Sequence, residues 1–141
     1  MKTIIGFAIL AGYTLCLGQR PLLAQACQDE EEMVKTSLKD LTDLVDAVKK
    51  ENVTAFQNHY HQKSYLSKAT FLVSVIGGFV DCLDKAAQDS TATKEQVETY
   101  RAKHQTYTKL KSKVEKEKNA LKSTEDAKNA KALIEKFDLS T

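Results

Sequence analysis

Residues that interrupt helices are scarce in this 141-residue chain. Pro21 is the only proline, and beyond Gly18 the only glycines are Gly77 and Gly78. Glycine weakens a helix interior by about 1 kcal/mol and proline by about 3 kcal/mol, so their near absence excludes a fold built on frequent tight turns. Three cysteines are too few for a disulfide-dense framework. No Gly-x-Ser-x-Gly nucleophile elbow and no glycine-rich phosphate loop occurs, which removes the hydrolase and nucleotide-binding classes that those motifs mark.

What is present begins with an apolar run. Lys2 is the only charge before Arg20; between them lies IIGFAILAGYTLCLG, followed by the small-residue site Ala24-Gln25-Ala26. This is the layout of a secretory signal peptide, with cleavage expected after Ala26. A bilayer span needs about 20 apolar residues. The run here is shorter and contains three glycines, and no second apolar span is expected after it. A lipid anchor on Cys27 would want leucine in place of Ala24 and a small residue in place of Gln25. Residues 1–26 are therefore expected to be a removable leader, and residues 27–141 a single domain of a secreted, extracellular protein.

Removing the leader changes the remainder. Lys2 and Arg20 leave with it, so the 21 basic residues fall to 19 against 19 acidic ones, and the basic character of the full chain disappears. Cys16 leaves as well, which makes Cys27 and Cys82 an even pair, read as one disulfide in an oxidising compartment. Closing a loop of that length restricts the unfolded chain by about 4 kcal/mol in the entropic account.

Apolar spacing then predicts helices. Val34, Leu38, Leu41, Val45 and Val48 form one stripe of a helix over 29–50, with Asp29, Glu30, Glu31 and Glu32 in its first turn, where the helix dipole favours negative charge. Asn52-Val53-Thr54 is the expected turn. Phe56 and Tyr60 open a second amphipathic stretch, continued by Ala69, Leu72, Val73, Ile76, Phe79, Val80 and Leu83, with a kink or break expected where the phase slips around His61 to Ser64. Its glycine pair is expected to let a neighbouring helix approach closely. At about 1.5 Å per residue the two arms span about 35 and 42 Å, so an antiparallel hairpin brings Cys27 and Cys82 to the same end. Thr93 and Gln96 form a capping box for a long helix reaching about Lys122, striped by Val97, Tyr100, His104, Tyr107, Leu110, Val114 and Leu121. Ser123 and Asp126 start a short last helix with Ala127, Ala130, Leu133, Ile134 and Phe137. The expected fold class is all-α, a single-domain bundle of four to five helices stapled by one disulfide.

Chemistry is sparse by comparison. His59 and His61 are about 200° apart on a helix, unsuited to the shared face that metal ligands at i, i+4 use, and no metal, cofactor or catalytic residue is assigned. Carboxylates crowd the first helix on an exposed face, which argues against an enzyme. The long helix is its basic counterpart: Lys94, Arg101, Lys103, Lys109, Lys111, Lys113, Lys116, Lys118 and Lys122 outnumber its glutamates. In KLKSKVEKEKN, 109–119, interleaved glutamates and missing aromatics argue against nucleic acid. Lys111 and Lys118 fall where an apolar stripe is wanted, so this half of the helix is expected to stand clear of the bundle. Lys109, Lys111, Lys113, Lys116 and Lys118 are the candidate partner-binding residues. Asn52-Val53-Thr54 is also a glycosylation sequon.

Three stretches carry a family likeness: the start at Cys27 with its acidic continuation, VIGGFVDCLDKA from Val75 to Ala86, and KNAKALIEKFDLS from Lys128 to Ser140. With them the whole of 27–141 resembles the small salivary proteins of anopheline mosquitoes, the albicin and anophensin group. The resemblance implies a secreted salivary inhibitor, not an enzyme, whose partners are host plasma proteins. Its first implied target is the complement alternative-pathway convertase; the second is contact activation, the kallikrein-kinin cascade. It marks no binding residue. Apart from it, a helical carrier of small apolar ligands is the alternative, and a monomer without a membrane span is expected.

Overall fold

The computed structural model describes residues 22–51 and 55–140, with the side chains of 27–51, 57–123 and 125–140. Most of the expected leader, residues 1–21, and the sequon at Asn52 lie outside the described residues. The elements, in chain order, are α1 (Leu22–Lys50), α2 (Ala55–Gln88), α3 (Lys94–Ala120), α4 (Thr124–Lys128) and α5 (Ala130–Ile134). No strand occurs among the described residues. The all-α bundle and the Cys27–Cys82 disulfide are present, with the two Cα atoms 5.8 Å apart.

α2 is the axis of the bundle, with α3 and α1 against it as its principal neighbours. The inner face of α1 is close to the expected one. Val34, Leu41, Val45 and Val48 are buried, while Leu38 is half-buried and Ser37 takes an inward place, its hydroxyl donating to the Met33 carbonyl at 2.8 Å. The helix itself begins at Leu22 instead of Asp29, so the acids 29–32 do not lie in the first turn of this chain.

α2 corrects the expected break. It runs through His61–Ser64 without interruption. Its buried positions are His61, Gln62, Tyr65, Ala69, Leu72, Ile76, Phe79, Leu83 and Ala86, an unslipped helical stripe. The apparent slip arose because two inward positions are polar. Gln62 donates to the carbonyls of Leu121 and Ser123 at 2.8 and 2.7 Å, and His61 Nε2 lies 3.0 Å from a Glu51 carboxylate oxygen. Gln62 and His61 Nε2 are thus buried with partners and escape the cost that an orphaned group carries, whereas His61 Nδ1 is buried without one.

A second correction concerns hydropathy. α2 includes a stretch long and apolar enough to cross a membrane, with a mean hydropathy of 1.5, because no charge falls between Lys68 and Asp81. It is the central helix here, disulfide-bonded to α1 and packed against α1 and α3 along its buried stripe.

α3 opens with the expected box: the Thr93 side chain accepts from Gln96 N–H at 3.2 Å, and Gln96 Oε1 accepts from Thr93 N–H at 2.8 Å. Ser123 and Asp126 repeat the arrangement at α4. The expected last helix is divided at Asn129, whose φ of −113° and ψ of 12° leave the helical range. The Lys131 N–H is taken up at this break by the Asn58 side chain at 3.1 Å. Lys131 Nζ in turn donates to the carbonyls of Val48 and Lys49, at 2.7 and 3.2 Å, supplying two of the carbonyls that the end of α1 leaves open. Beyond α5, residues 135–140 return along the bundle. Phe137 packs on Tyr65, ring centroids 5.0 Å apart.

Candidate docking surface

Helical geometry decides how the five candidate lysines are arranged. At 100° per residue, Lys109, Lys113 and Lys116 fall within about 60° of one another on one flank of α3, and Lys111 and Lys118 within about 20° on the other. The buried residues Leu110, Val114 and Leu121 run between the two rows. The five lysines therefore form two edges around a packed seam. The half of α3 that was expected to stand clear of the bundle is its buried half; the lysines occupy apolar-looking positions because they bracket the seam and leave its centre to Leu110 and Val114.

Each row has its own surroundings. Lys109 and Lys116 are exposed. Lys113 is half-buried and turned to the C-terminal segment, its ammonium 3.1 Å from Asp138 Oδ2 and 3.3 Å from the Ser140 carbonyl. In the other row, Lys111 Nζ lies 3.6 Å from where a Cβ on Gly77 would stand, and a Cβ on Gly78 would meet nothing within 4 Å. These are ordinary contact and open space. The glycine pair is not required by a close helix approach.

The cations of α3 are mostly unmatched, and the acids of α1 are mostly matched. Of the seven acids from Asp29 to Asp46, five have an ion-pair partner: Glu31, Glu32, Asp40, Asp43 and Asp46. Of the nine basic residues from Lys94 to Lys122, only Lys103 and Lys113 have a carboxylate partner among the described residues. Burial opposes ionisation of Glu31, but Lys103 and Lys35 outweigh it and hold its pKa below the ordinary value.

Behind the first row, Tyr65 donates to Glu117 at 3.0 Å. Burial, then the Glu117 charge, pushes the tyrosine hydroxyl far above its ordinary range, and burial raises Glu117 as well. Asp138 is shifted the opposite way, to about 2, by hydrogen bonds from Ser140 and by Lys113. Two clefts flank this segment. One of about 520 Å³ lies against α1, with Val45, Phe137 and Leu139 among its walls. One of about 260 Å³ lies against α3, at Lys109, Leu110 and Lys113.

The remaining titratable groups do not assemble a reaction centre among the described residues. His59 is exposed, His61 is buried against Glu51, and His104 is half-buried 3.3 Å from Asp84. Cys27, Cys82 and Glu30 place ligand-type atoms within 4.8 Å of one another. Both sulfurs are in the disulfide, so neither supplies the thiolate a metal would need.

Sequence reasoning passed over Gln62, the Lys103–Glu31 bridge between α3 and α1, and the docking of 135–140. For Gln62 a signal existed: it continues the three-and-four spacing of Tyr65, Ala69, Leu72 and Ile76. The other two depend on residues 72 and 25 positions apart and left no local trace. No family model matches the chain, and no curated protein or solved structure matches it.

Proposed function

We propose that this is a secreted, non-enzymatic inhibitor that docks on a host plasma protease complex, with the alternative-pathway convertase as the first target and contact activation as the alternative. The family likeness of 27–141 supplies the target. What supports docking as the mode of action is the unmatched charge of α3, since oriented charge speeds encounter with a large charged complex while apolar contacts supply most of the affinity. Lys109, Lys116 and Lys118 carry this role in the reading. Lys113 contributes less, because Asp138 already occupies it.

The test is to add purified protein to human serum under conditions that isolate each complement pathway, and separately to a contact-activation assay. Inhibition confined to the alternative pathway supports the first target, and inhibition confined to contact activation the second; no effect on either discards both. Charge reversal at Lys109, Lys116 and Lys118 should slow association with the sensitive complex by about tenfold and flatten its salt dependence. An unchanged association rate removes this surface from the mechanism.

A further inference from the structure

In the uncut chain Cys27 lies inside α1, five residues past its start at Leu22. Three residues on, Glu30 presents a buried carboxylate oxygen, Oε2, with no hydrogen-bond partner. A carboxylate oxygen of Glu30 lies within 4.8 Å of the two disulfide sulfurs, and neither sulfur is a donor in that state. A buried acceptor without a donor is destabilising, and more so when charged. The adjacent acids are not in this position: Glu31 is paired with Lys103 and Lys35, and Glu32 with Lys35.

The protein shows twice how a side chain at this spacing is used. At α3 the residue three beyond the N-cap, Gln96, accepts from the N-cap backbone N–H; at α4, Asp126 does the same from Ser123 at 2.7 Å. Glu30 stands in that relation to Cys27. A helix beginning at Cys27 would make Cys27 the N-cap and Glu30 its reciprocal acceptor.

On the reading that the leader is removed after Ala26, we propose that Glu30 receives the α-ammonium that the cut leaves on Cys27. Hydrolysis adds water across the Ala26–Cys27 peptide bond, leaving a carboxylate on Ala26 and an α-ammonium on Cys27. The Cys27 nitrogen then loses its place in the helical hydrogen-bond ladder and gains charge. A positive group at a helix N-terminus opposes the macrodipole, and a carboxylate against it removes the conflict. The cut also moves Asp29, Glu30 and Glu31 into the first turn, where their charge is favourable. Asp29 is exposed. From the packed elements, the charges near this end are Lys103 of α3, engaged by Glu31, and Asp81, Asp84 and Lys85 of α2, within three residues of Cys82, with His104 of α3 3.3 Å from Asp84. This leaves the half-buried Glu30, through its buried Oε2, as the acid at this end without a donor.

The proposal is independent of the plasma target. Its test compares the oxidised protein beginning at Cys27 with a form retaining Gln25 and Ala26, each with and without Glu30→Gln, and with an Nα-acetylated form of the first. NMR titration should place the Cys27 α-amine about one pH unit above its value in the Glu30→Gln protein. An amine whose folded pKa is raised stabilises below its unfolded value of about 7.7–8.0, and that contribution is lost as pH rises through the folded value. The thermal midpoint of the processed protein should therefore fall over that interval. The fall should vanish on acetylation, which keeps Glu30 intact, and in the form that retains Gln25 and Ala26. Equal amine titration with glutamate or glutamine at position 30 overturns the pairing. A secreted chain whose first residue is not Cys27 overturns the reading of the leader on which the pairing rests.

Discussion

The two halves of α3 invert what their compositions promise. Val97, Tyr100, His104 and Tyr107 give the first half the richer inner face, yet none of the four is buried. The second half is crowded with lysines, and its Leu110 and Val114 are 3% and 0% exposed. The difference lies in what stands opposite. The first half has α2 beside it, through contacts such as Tyr107 on Phe79, and touches α1 through the Lys103–Glu31 bridge. The second half also meets the chain that follows it, with Asp138 and Ser140 on Lys113, Asp138 on Glu117, and Phe137 on the Tyr65 that donates to Glu117. Burial along a helix is set by how many neighbours cover it, and its own apolar content is only an invitation.

Truncation breaks the comparison most directly. Leu110→Ala should cost about 2–5 kcal/mol, the range for a large-to-small change in a closed core, whereas Val97→Ala should cost about 1 kcal/mol or less because its methyl groups are already partly wet. Chemical denaturation of both variants measures the ratio. Equal losses would mean that the first half is packed as tightly as the second.

Acid should separate the halves by a smaller, local effect. The folded pKa of Asp138 is depressed, so its contribution is present above the ordinary aspartate value and lost as pH falls from about 4 towards about 2. Glu117 has the opposite sign: its raised pKa means that protonation favours the folded state as pH falls from neutral towards the ordinary glutamate range. The first half of α3 has its own acid-sensitive contact, Lys103 with Glu31, so the Ser140 amide is the reporter of Asp138 and should shift by NMR between pH 4 and 2. The shift should disappear in Asp138→Asn. A C-terminal segment unchanged at pH 2 would show that Phe137 and Leu139 hold it without help from the charge.

The smallest effect probes the uncovered face of α2. With nothing within 4 Å of a Cβ at position 78, Gly78→Ala should stabilise by about 0.5–1 kcal/mol through helix propensity alone. A loss of stability of that size would restore the idea that another helix closes on this glycine.

Much of the fold was legible because it is written locally. Val34, Leu41, Val45 and Val48 share a helical period, Thr93–Gln96 and Ser123–Asp126 cap three residues apart, and one cysteine pair survives the expected leader. Where reading failed, at His61 and Gln62, the inward positions were polar. A hydropathy pattern has no means of knowing that Leu121, Ser123 and Glu51 supply their partners from 59, 61 and 10 residues away. The lysines failed for a related reason: their residue type announces solvent, and only the seam between the two rows shows which side of α3 is shielded.

The sequence by itself determined that this chain is helical, where most of its helices start, and which two cysteines would meet, because period, caps and cysteine parity are properties of neighbouring residues or of simple counts. Tertiary structure alone decided which of those faces are shielded, which charges are cancelled and which are left free. Burial and pairing depend on distant segments arriving at the same place, as Asp138 does at Lys113 and Glu31 at Lys103, and sequence proximity carries no record of those meetings.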